Sequence, residues 1–274
     1  MIQLVCDSSI GIPEAYAKEH NISIVPLRVL VGDKEFEEDY EKDYSAMFEE
    51  VEQTKQYPKT SQVSYELYKQ AFDTILSNNH EVICVTIASS LSGTNSVAHL
   101  AKNDCLNPEL VTIIDSGNVA QPSFMLVAYI IEQIHLGKTR EEIATLCPEV
   151  IAKCHVVFVP ETLGYLKHGG RIGKLSALLG SILQIKPILR FTNNCLSVAK
   201  KSLGMMRALA DMVSLIPQKI KQLFVLKCGP VKNYDILKQL VEKKENIGAY
   251  SEGYIGPVIG AHVGPAVGLA WMEE

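Results

Sequence analysis

Several short stretches of this sequence carry the residue types from which an anion site can be built. The richest is Ser89-Ser90-Leu91-Ser92-Gly93-Thr94, which follows an apolar run (Glu81–Ala88) and precedes a stretch with helical character, Asn95–Lys102. A helix N-terminus presents unpaired N–H groups and the positive end of the helix dipole. Hydroxyls beside it add donors, so Ser92, Gly93 and Thr94 can together hold a phosphate or a carboxylate. The competing reading is capping of the helix by Ser92 or Thr94. Thr60-Ser61-Gln62, just after Pro58, is a second polar cluster; its other reading is a helix entry capped by Ser61 or Ser64. His168-Gly169-Gly170-Arg171-Ile172-Gly173 is a glycine-dense basic loop in which Arg171 either pairs a buried carboxylate or faces solvent. Glycine there permits positive φ or a close backbone approach, although a helix C-cap and turn also explains it. Gly256–Pro265 repeats a Gly-Pro element around His262. A lone histidine is more often a satisfied core residue than a functional one, but the flanking glycines suggest backbone packed tightly around something.

The usual enzyme signatures are missing. No G-x-x-x-x-G-K-[ST] or G-x-G-x-x-G occurs, which removes the common nucleotide loops. Ser92 lies in Leu-Ser-Gly-Thr rather than in a G-x-S-x-G elbow. Ser92, His262 and Asp115 or Asp7 have the composition of a hydrolase triad, but no spacing positions them for that role. The remaining histidines lack metal-ligand spacing, so no metal site is expected.

The elements that must position these residues are legible as alternating strands and helices. Gln3–Cys6, Ile22–Leu30, Glu81–Ala88 and Leu110–Ile114 read as strands, the last two apolar enough to be buried on both faces. Helices are expected at Pro13–His20, Ser64–Asn78 with Ser64 as N-cap, Val119–His135 and Thr139–Lys153. Strands separated by helices imply a parallel α/β sheet, and ligands of such sheets bind beyond the carboxyl ends of the strands. Three strands end there in small polar groups: Asp7-Ser8-Ser9, Ser89–Thr94 and Asp115-Ser116-Gly117. The second half changes character. A strand at His155–Val159, a short helix at Glu161–Lys167, a very apolar helix at Leu175–Leu183 and a series of short strands read as an α+β lobe. The expected organisation is therefore a two-lobed α/β protein, with a lobe at 1–155, a second at 156–274 and a ligand between them.

Composition narrows the partners. The net charge of −5, without basic stripes, excludes a nucleic-acid binder. Seven cysteines form no C-x-x-C pair, and Cys6, Cys84 and Cys228 sit in apolar runs as small hydrophobes, which fits a reducing, cytoplasmic setting. No signal peptide or membrane span is expected.

Taken in order, CDSS (Cys6–Ser9), KTSQ (Lys59–Gln62), SSLSGT (Ser89–Thr94), IDS (Ile114–Ser116), ETLGYLKHGGRIG (Glu161–Gly173), IKPIL (Ile185–Leu189) and GPVIGAHVGP (Gly256–Pro265) resemble the DegV family. That family includes the fatty-acid-binding subunits of bacterial fatty acid kinase. The resemblance spans nearly the whole chain, and the ordered set is specific although each motif alone is weak. It implies a fatty acid buried between two lobes, its carboxylate against Thr60, Ser61 and Ser92 with His262 nearby. It further implies no catalysis and no cofactor of the chain's own. A partner kinase would phosphorylate the bound carboxylate to an acyl phosphate. Three positions depart from the family pattern. Val63 replaces a usual proline and Ala266 a usual glycine. Leu203 stands where kinase-linked members often carry an arginine associated with docking, which weighs against the partnership more than against the lipid site.

Physically, such a reading needs a long apolar tunnel with donors at one end. Burying about 14 methylenes at roughly 0.8 kcal/mol each gives on the order of 11 kcal/mol gross, reduced by ordering and association costs. An unpaired buried carboxylate would cost several kcal/mol, which hydroxyls, a helix N-terminus and an imidazole offset. Candidate walls are Leu175, Leu178, Leu179, Ile182 and Leu183 with Phe124, Met125, Val127 and Ala128, all of which ordinary core packing also explains. The alternatives are a small-molecule phosphotransferase using the same donors for phosphate, and a Ser/His hydrolase.

Overall fold

The computed structural model describes residues 1–36, 38, 44–178, 185–244 and 247–274. In its first half the apolar β-branched runs become strands and the amphipathic stretches helices. The order is β1 (Ile2–Asp7), α1 (Glu14–Glu19), β2 (Ser23–Val25), β3 (Arg28–Val31), β4 (Lys34–Phe36), α2 (Ser45–Thr54), β5 (Lys59–Ser61), α3 (Tyr65–Leu76), β6 (Glu81–Thr86), α4 (Thr94–Asn103), β7 (Val111–Asp115), α5 (Gln121–His135) and α6 (Arg140–Lys153). Strands β2-β1-β6-β7 form a parallel sheet. β6 is buried at all but its first residue, because α3, α4 and α6 pack on this sheet. Ser64 caps α3 by accepting from Leu67 N, and Thr139 and Glu142 close a capping box on α6.

Two expectations are revised in this half. The single strand expected at Ile22–Leu30 is two strands in two sheets. Pro26, which has no N–H to donate, stands in the break between β2, in the parallel sheet, and β3, in a small antiparallel sheet ordered β4-β3-β5. The helix entry after the Thr60-Ser61-Gln62 cluster is capped by Ser64 and not by Ser61, and the cluster itself is mostly strand. Lys59–Ser61 is strand β5, with Thr60 opposite Val29 and Ser61 opposite Arg28.

The second half contributes β8 (Cys154–Pro160), α7 (Gly164–His168), β9 (Ile185–Thr192), β10 (Cys195–Leu203), α8 (Met205–Ser214), β11 (Ile220–Cys228), α9 (Tyr234–Glu242), β12 (Ser251–Tyr254), α10 (Pro257–Val263) and β13 (Ala266–Glu273). Its six strands run in the order β10-β9-β8-β13-β11-β12, antiparallel except for β11/β12. The sheet's two faces have different tasks. Val157, Ile188, Leu223, Leu269 and Trp271 face α8 and α9 and build a separate core with Met212 and Leu237. The opposite face carries Phe158, Phe191 and Leu226 toward the first sheet. Gly256–Pro265, the Gly-Pro element around His262, contains helix α10, with Pro257 at its first position. Of the apolar helix expected at Leu175–Leu183, the described part is a 3₁₀ turn, Gly173–Leu178. The side chain of Leu178, and Leu179, Ile182 and Leu183 with it, lie outside the described residues.

Cys6, Cys84 and Cys228 are buried in strands, as small hydrophobes should be. No described helix is long and apolar enough to cross a membrane, and the described residues hold no group of metal-ligating side chains.

Candidate functional site

The site grows out of the loop that follows β6. Its backbone N–H groups are taken up one after another by fixed acceptors. Ile87 N donates to Asp7 Oδ2 at 2.6 Å, Ser89 N to Asp115 Oδ1 at 3.1 Å and Ser90 N to Asn194 Oδ1 at 3.2 Å. Ala88 N donates to Asn118 O and Leu91 N to Ala88 O, both at 3.0 Å. The next two residues, Ser92 and Gly93, have N–H groups with no protein acceptor among the described residues. Both line a cavity at the N-terminus of α4, and consecutive free N–H groups beside a helix N-terminus suit an anion. Ser92 Oγ lies 2.9 Å from Thr94 Oγ1 and accepts from Thr94 N at 3.3 Å. When Thr94 donates to Ser92, the Ser92 proton is free to point into the cavity. Thr94 itself is fully buried behind Ser92 and does not line the cavity.

Strand β5 and helix α10 supply the facing wall. Thr60 Oγ1 and His262 Nε2 are 2.8 Å apart. Burial and the nearby Arg171 guanidinium push the His262 imidazole down to about 4, so it is neutral near pH 7. Its Nδ1 is buried without a partner and faces Gly169, where a Cβ would come within 2.3 Å of it. An unpaired buried N–H costs more than an unpaired lone pair, which favours the tautomer with the proton on Nε2. That proton goes to Thr60 Oγ1 and releases the Thr60 hydroxyl proton toward the cavity. Ser61 is on the same strand and lines the cavity too. Arg171 donates to Leu91 O at 3.0 Å and Gly169 O at 2.6 Å. It thus meets backbone carbonyls rather than a carboxylate and brings a positive charge to the rim of the site.

The cavity, about 350 Å³, falls within the roughly 300–1,000 Å³ range of small-molecule sites. Thr60, Ser61, Ser92 and His262 cluster with Gln62, while Leu27, Val119, Phe158, Leu166 and Ile259 make the remaining wall apolar. Val119, Phe158, Ile259 and Val263 are shared with a narrow slot of about 40 Å³ whose lining is otherwise Leu226, Cys228, Ala266 and other nonpolar groups. On the inner face of β13 the residues are Ala266, Gly268 and Ala270, and Gly268 lies between Phe158 and Leu226 on the flanking strands. A small-residue strand between larger neighbours leaves a trough in the sheet. A third cavity, about 470 Å³, shares Ser92, Gly93 and Arg171 and is rimmed by the exposed Ser89, Ser90 and Cys195.

The fold thus brings Thr60, Ser61, Ser92, Gly93, Arg171 and His262 to one cavity. It does not bring Phe124 there. Phe124 packs on α5 against Tyr16 and Phe224, with ring centroids 5.1 and 6.3 Å away. Met125 and Val127 are core residues, and Leu175 packs with Leu166, Ile172 and Leu189. The apolar walls come instead from sheet faces and α10. Sequence reasoning placed Gln62 in a polar cluster but missed that its side chain covers Gly93, and it missed the trough. The signal for the trough was the alternation of Ala266, Gly268 and Ala270 along one face of a strand.

The chain is 32% identical to a DegV domain-containing protein of Clostridium acetobutylicum, over 100% of this chain and 98% of that one. It is 26% identical to the protein DegV of Bacillus subtilis over 98% of each. Its fold matches a solved DegV family protein from Thermus thermophilus, described by its fatty acid binding, with a TM-score of 0.86 and 25% identity over 100% of this chain and 99% of that one. DegV from Bacillus subtilis, described as a fatty acid binding protein, matches with a TM-score of 0.83 and 25% identity over 100% and 99%. A family model described as "Uncharacterised protein, DegV family" matches residues 1–274, and the chain belongs to the DegV family.

Proposed function

We propose that this chain is a binding protein for a long-chain fatty acid, and that it presents the acid's carboxylate to a partner kinase. Residues 1–155 supply the headgroup loops and 156–274 close over the tail. The carboxylate accepts from the hydroxyls of Thr60 and Ser92 and from the Ser92 and Gly93 N–H groups, and the chain needs no cofactor for this. The tail runs past Phe158 and Ile259 into the β13 trough. The observation that carries the reading is one cavity that combines a cluster of donors with apolar walls, four of whose residues it shares with a nonpolar slot. The solved relatives at 25% identity, described by their fatty acid binding, support it. A neutral His262 fits as well, because it orients a donor without tying up the ligand's charge.

Presentation to a kinase is supported by the third cavity, which adjoins the donor end and has exposed serines at its rim. There a carboxylate oxygen can attack the γ-phosphorus of ATP held by the partner, giving acyl phosphate and ADP. Leu203 is 71% exposed at the end of β10, three residues before the exposed Met206. Native mass spectrometry of protein purified from a bacterial host is expected to show a long-chain fatty acid adduct. Delipidated protein without saturable fatty acid binding overturns the reading. Leu203→Arg is expected to raise turnover with a fatty acid kinase; unchanged turnover removes this position from docking while leaving lipid binding intact.

A further inference from the structure

Asn194 does not line the donor cavity, although it lines the third cavity beside it, and it holds the loop that carries the anion donors. It lies in the two-residue turn between β9 and β10, where Thr192 and Cys195 pair and Asn193 and Asn194 adopt φ of 48° and 60°. Asparagine tolerates that left-handed region better than most residues, and two such residues in succession make the tight turn that suits a twisted hairpin. The turn delivers Asn194 from the second sheet to the strand ends of the first. Its N–H donates to Gly117 O at 2.9 Å. Its side-chain amide uses both ends: Nδ2 donates to Asp115 Oδ2 at 3.0 Å, and Oδ1 accepts from Ser90 N at 3.2 Å. Asp115 holds Ser89 N and Gly117 N through its other oxygen, at 3.1 and 2.9 Å.

We infer that Asn194 is a positioning residue, a latch between the two sheets that fixes the Ser89–Gly93 loop against the β9–β10 hairpin and so sets how fast a bound acid leaves. Three observations combine. Ser90, the residue it holds, is two residues before Ser92. The same hairpin contributes Phe191 and Leu196 to the cavity wall, so a shift of the hairpin relative to the loop widens the cavity mouth. The contact also includes a hydrogen bond to a carboxylate, which is stronger than one between neutral groups. The ligand whose release is read rests on the fatty-acid reading above; the latch itself does not.

Asn194→Gly tests it in the full-length chain. Glycine keeps the positive φ and the N–H to Gly117, so the variant removes only the side-chain bridge. With cis-parinarate, a naturally fluorescent long-chain fatty acid, as probe, release is expected to quicken about tenfold, the equivalent of about 1.4 kcal/mol, mostly without change in association rate. Asn194→Asp, which sets a second carboxylate against Asp115, is expected to quicken release further. The double variant Asn194→Asp/Asp115→Asn exchanges amide and carboxylate across the same contact and is expected to recover most of the loss. In ligand-free protein, Asn194→Gly is expected to speed hydrogen exchange at the Ser89 and Ser90 amides. Wild-type exchange and wild-type release in Asn194→Gly, or a double variant no better than Asn194→Asp, overturns the latch. A wild-type protein that fails to bind cis-parinarate overturns the fatty-acid reading, and the exchange measurement then still decides the latch.

Discussion

The loops after β1 and β6 are made of the same residue types, Asp7-Ser8-Ser9 in one and Ser89–Thr94 in the other, and they do opposite things. After β1, Asp7 is fully buried and spends every acceptor inside the protein, on Ile87 N at 2.6 Å, Ser9 N at 3.1 Å and Ser9 Oγ at 2.5 Å. Ser8 Oγ accepts from Leu27 N at 2.9 Å. After β6, the donors that remain at Ser92 and Gly93 have no protein acceptor among the described residues and face a cavity. The first loop is architecture, and the second carries the open donors of the proposed binding site. Composition does not separate them; the count of unmet partners does. The third strand end, Asp115-Ser116-Gly117, falls with the first, since Asp115 is committed to Ser89, Gly117 and Asn194.

The largest expected effect breaks the structural side of that contrast. Asp7→Ala strips three buried donors of their acceptor, at about 1–3 kcal/mol each, less the relief of no longer burying a charge. A loss of about 4 kcal/mol is expected, read as a lower urea midpoint at unchanged slope. A shift below about 1 kcal/mol would mean that the loop relaxes and that Asp7 is not a keystone.

Two opposite titrations sharpen the contrast. Burial pushes the Asp7 carboxyl up to about 6, despite the hydrogen bonds from Ser9 and Ile87. Its raised value contributes stability present below about 3.8 and lost as pH rises through about 6. His262, pushed down to about 4 by burial and by Arg171, does the reverse: its contribution is present above about 6.5 and lost as pH falls toward 4. Each amounts to about 3 kcal/mol across its window, so in the wild type the two nearly cancel between pH 6.5 and 4. Removing one exposes the other. Relative to wild type, His262→Gln is expected to gain stability on acidification through that window and Asp7→Asn to lose it. Parallel slopes for the two variants would show that one of these groups does not titrate as its surroundings dictate.

Ser92→Ala acts on the binding side. Losing a hydroxyl donor to a carboxylate is expected to weaken fatty acid binding by about 1.5–3 kcal/mol, on the order of 10- to 100-fold, while the urea midpoint stays within about 0.5 kcal/mol. The converse result, stability lost with affinity kept, would move Ser92 to the architectural class and leave only capping of α4 for it.

Much of this was legible in the residues. The parallel sheet followed from apolar strands alternating with helices, and Ser64 and Thr139 announced their helices. Residue types and spacing singled out the Ser92 loop, the Thr60 cluster and His262, but only the family motifs joined them to one carboxylate. What escaped is instructive. Strand β5 has three residues, too few for a period to appear, so the strand that carries Thr60 went unread beside the helix entry at Ser64. His262 sits in a seven-residue helix between glycines, where composition argues against helix and only the packing beside Gly169 and Tyr165 holds it. Phe124 was a candidate tunnel wall because it is apolar, but the face of α5 that carries it meets Tyr16 and Phe224, the core packing that was its competing reading. Asn194 gave no signal, since its partners are 79 and 104 residues away in sequence.

The smallest effects come from a pair of glycines that test how firmly each wall of the site is held. Gly169 and Gly93 both have ordinary negative φ, so alanine adds no backbone strain at either position. At Gly169 the new Cβ would lie 2.3 Å from Nδ1 of a buried imidazole and 3.1 Å from Tyr165 O. Neither can retreat easily, so His262 turns away from Thr60. Affinity for a fatty acid is expected to fall by about 1–2 kcal/mol, the scale of a lost hydrogen bond plus overpacking. At Gly93 the new Cβ would lie 2.0 Å from Gln62 Oε1, a closer approach that costs less. Gln62 is exposed and meets the methyl with the far end of a flexible side chain, which swings into solvent. Gly93→Ala is therefore expected to change affinity by less than about 0.5 kcal/mol. If Gly93→Ala proved the more damaging of the two, Gln62 would be a fixed wall of the headgroup site rather than a movable cover, and β5 would bind through Gln62 as well as Thr60.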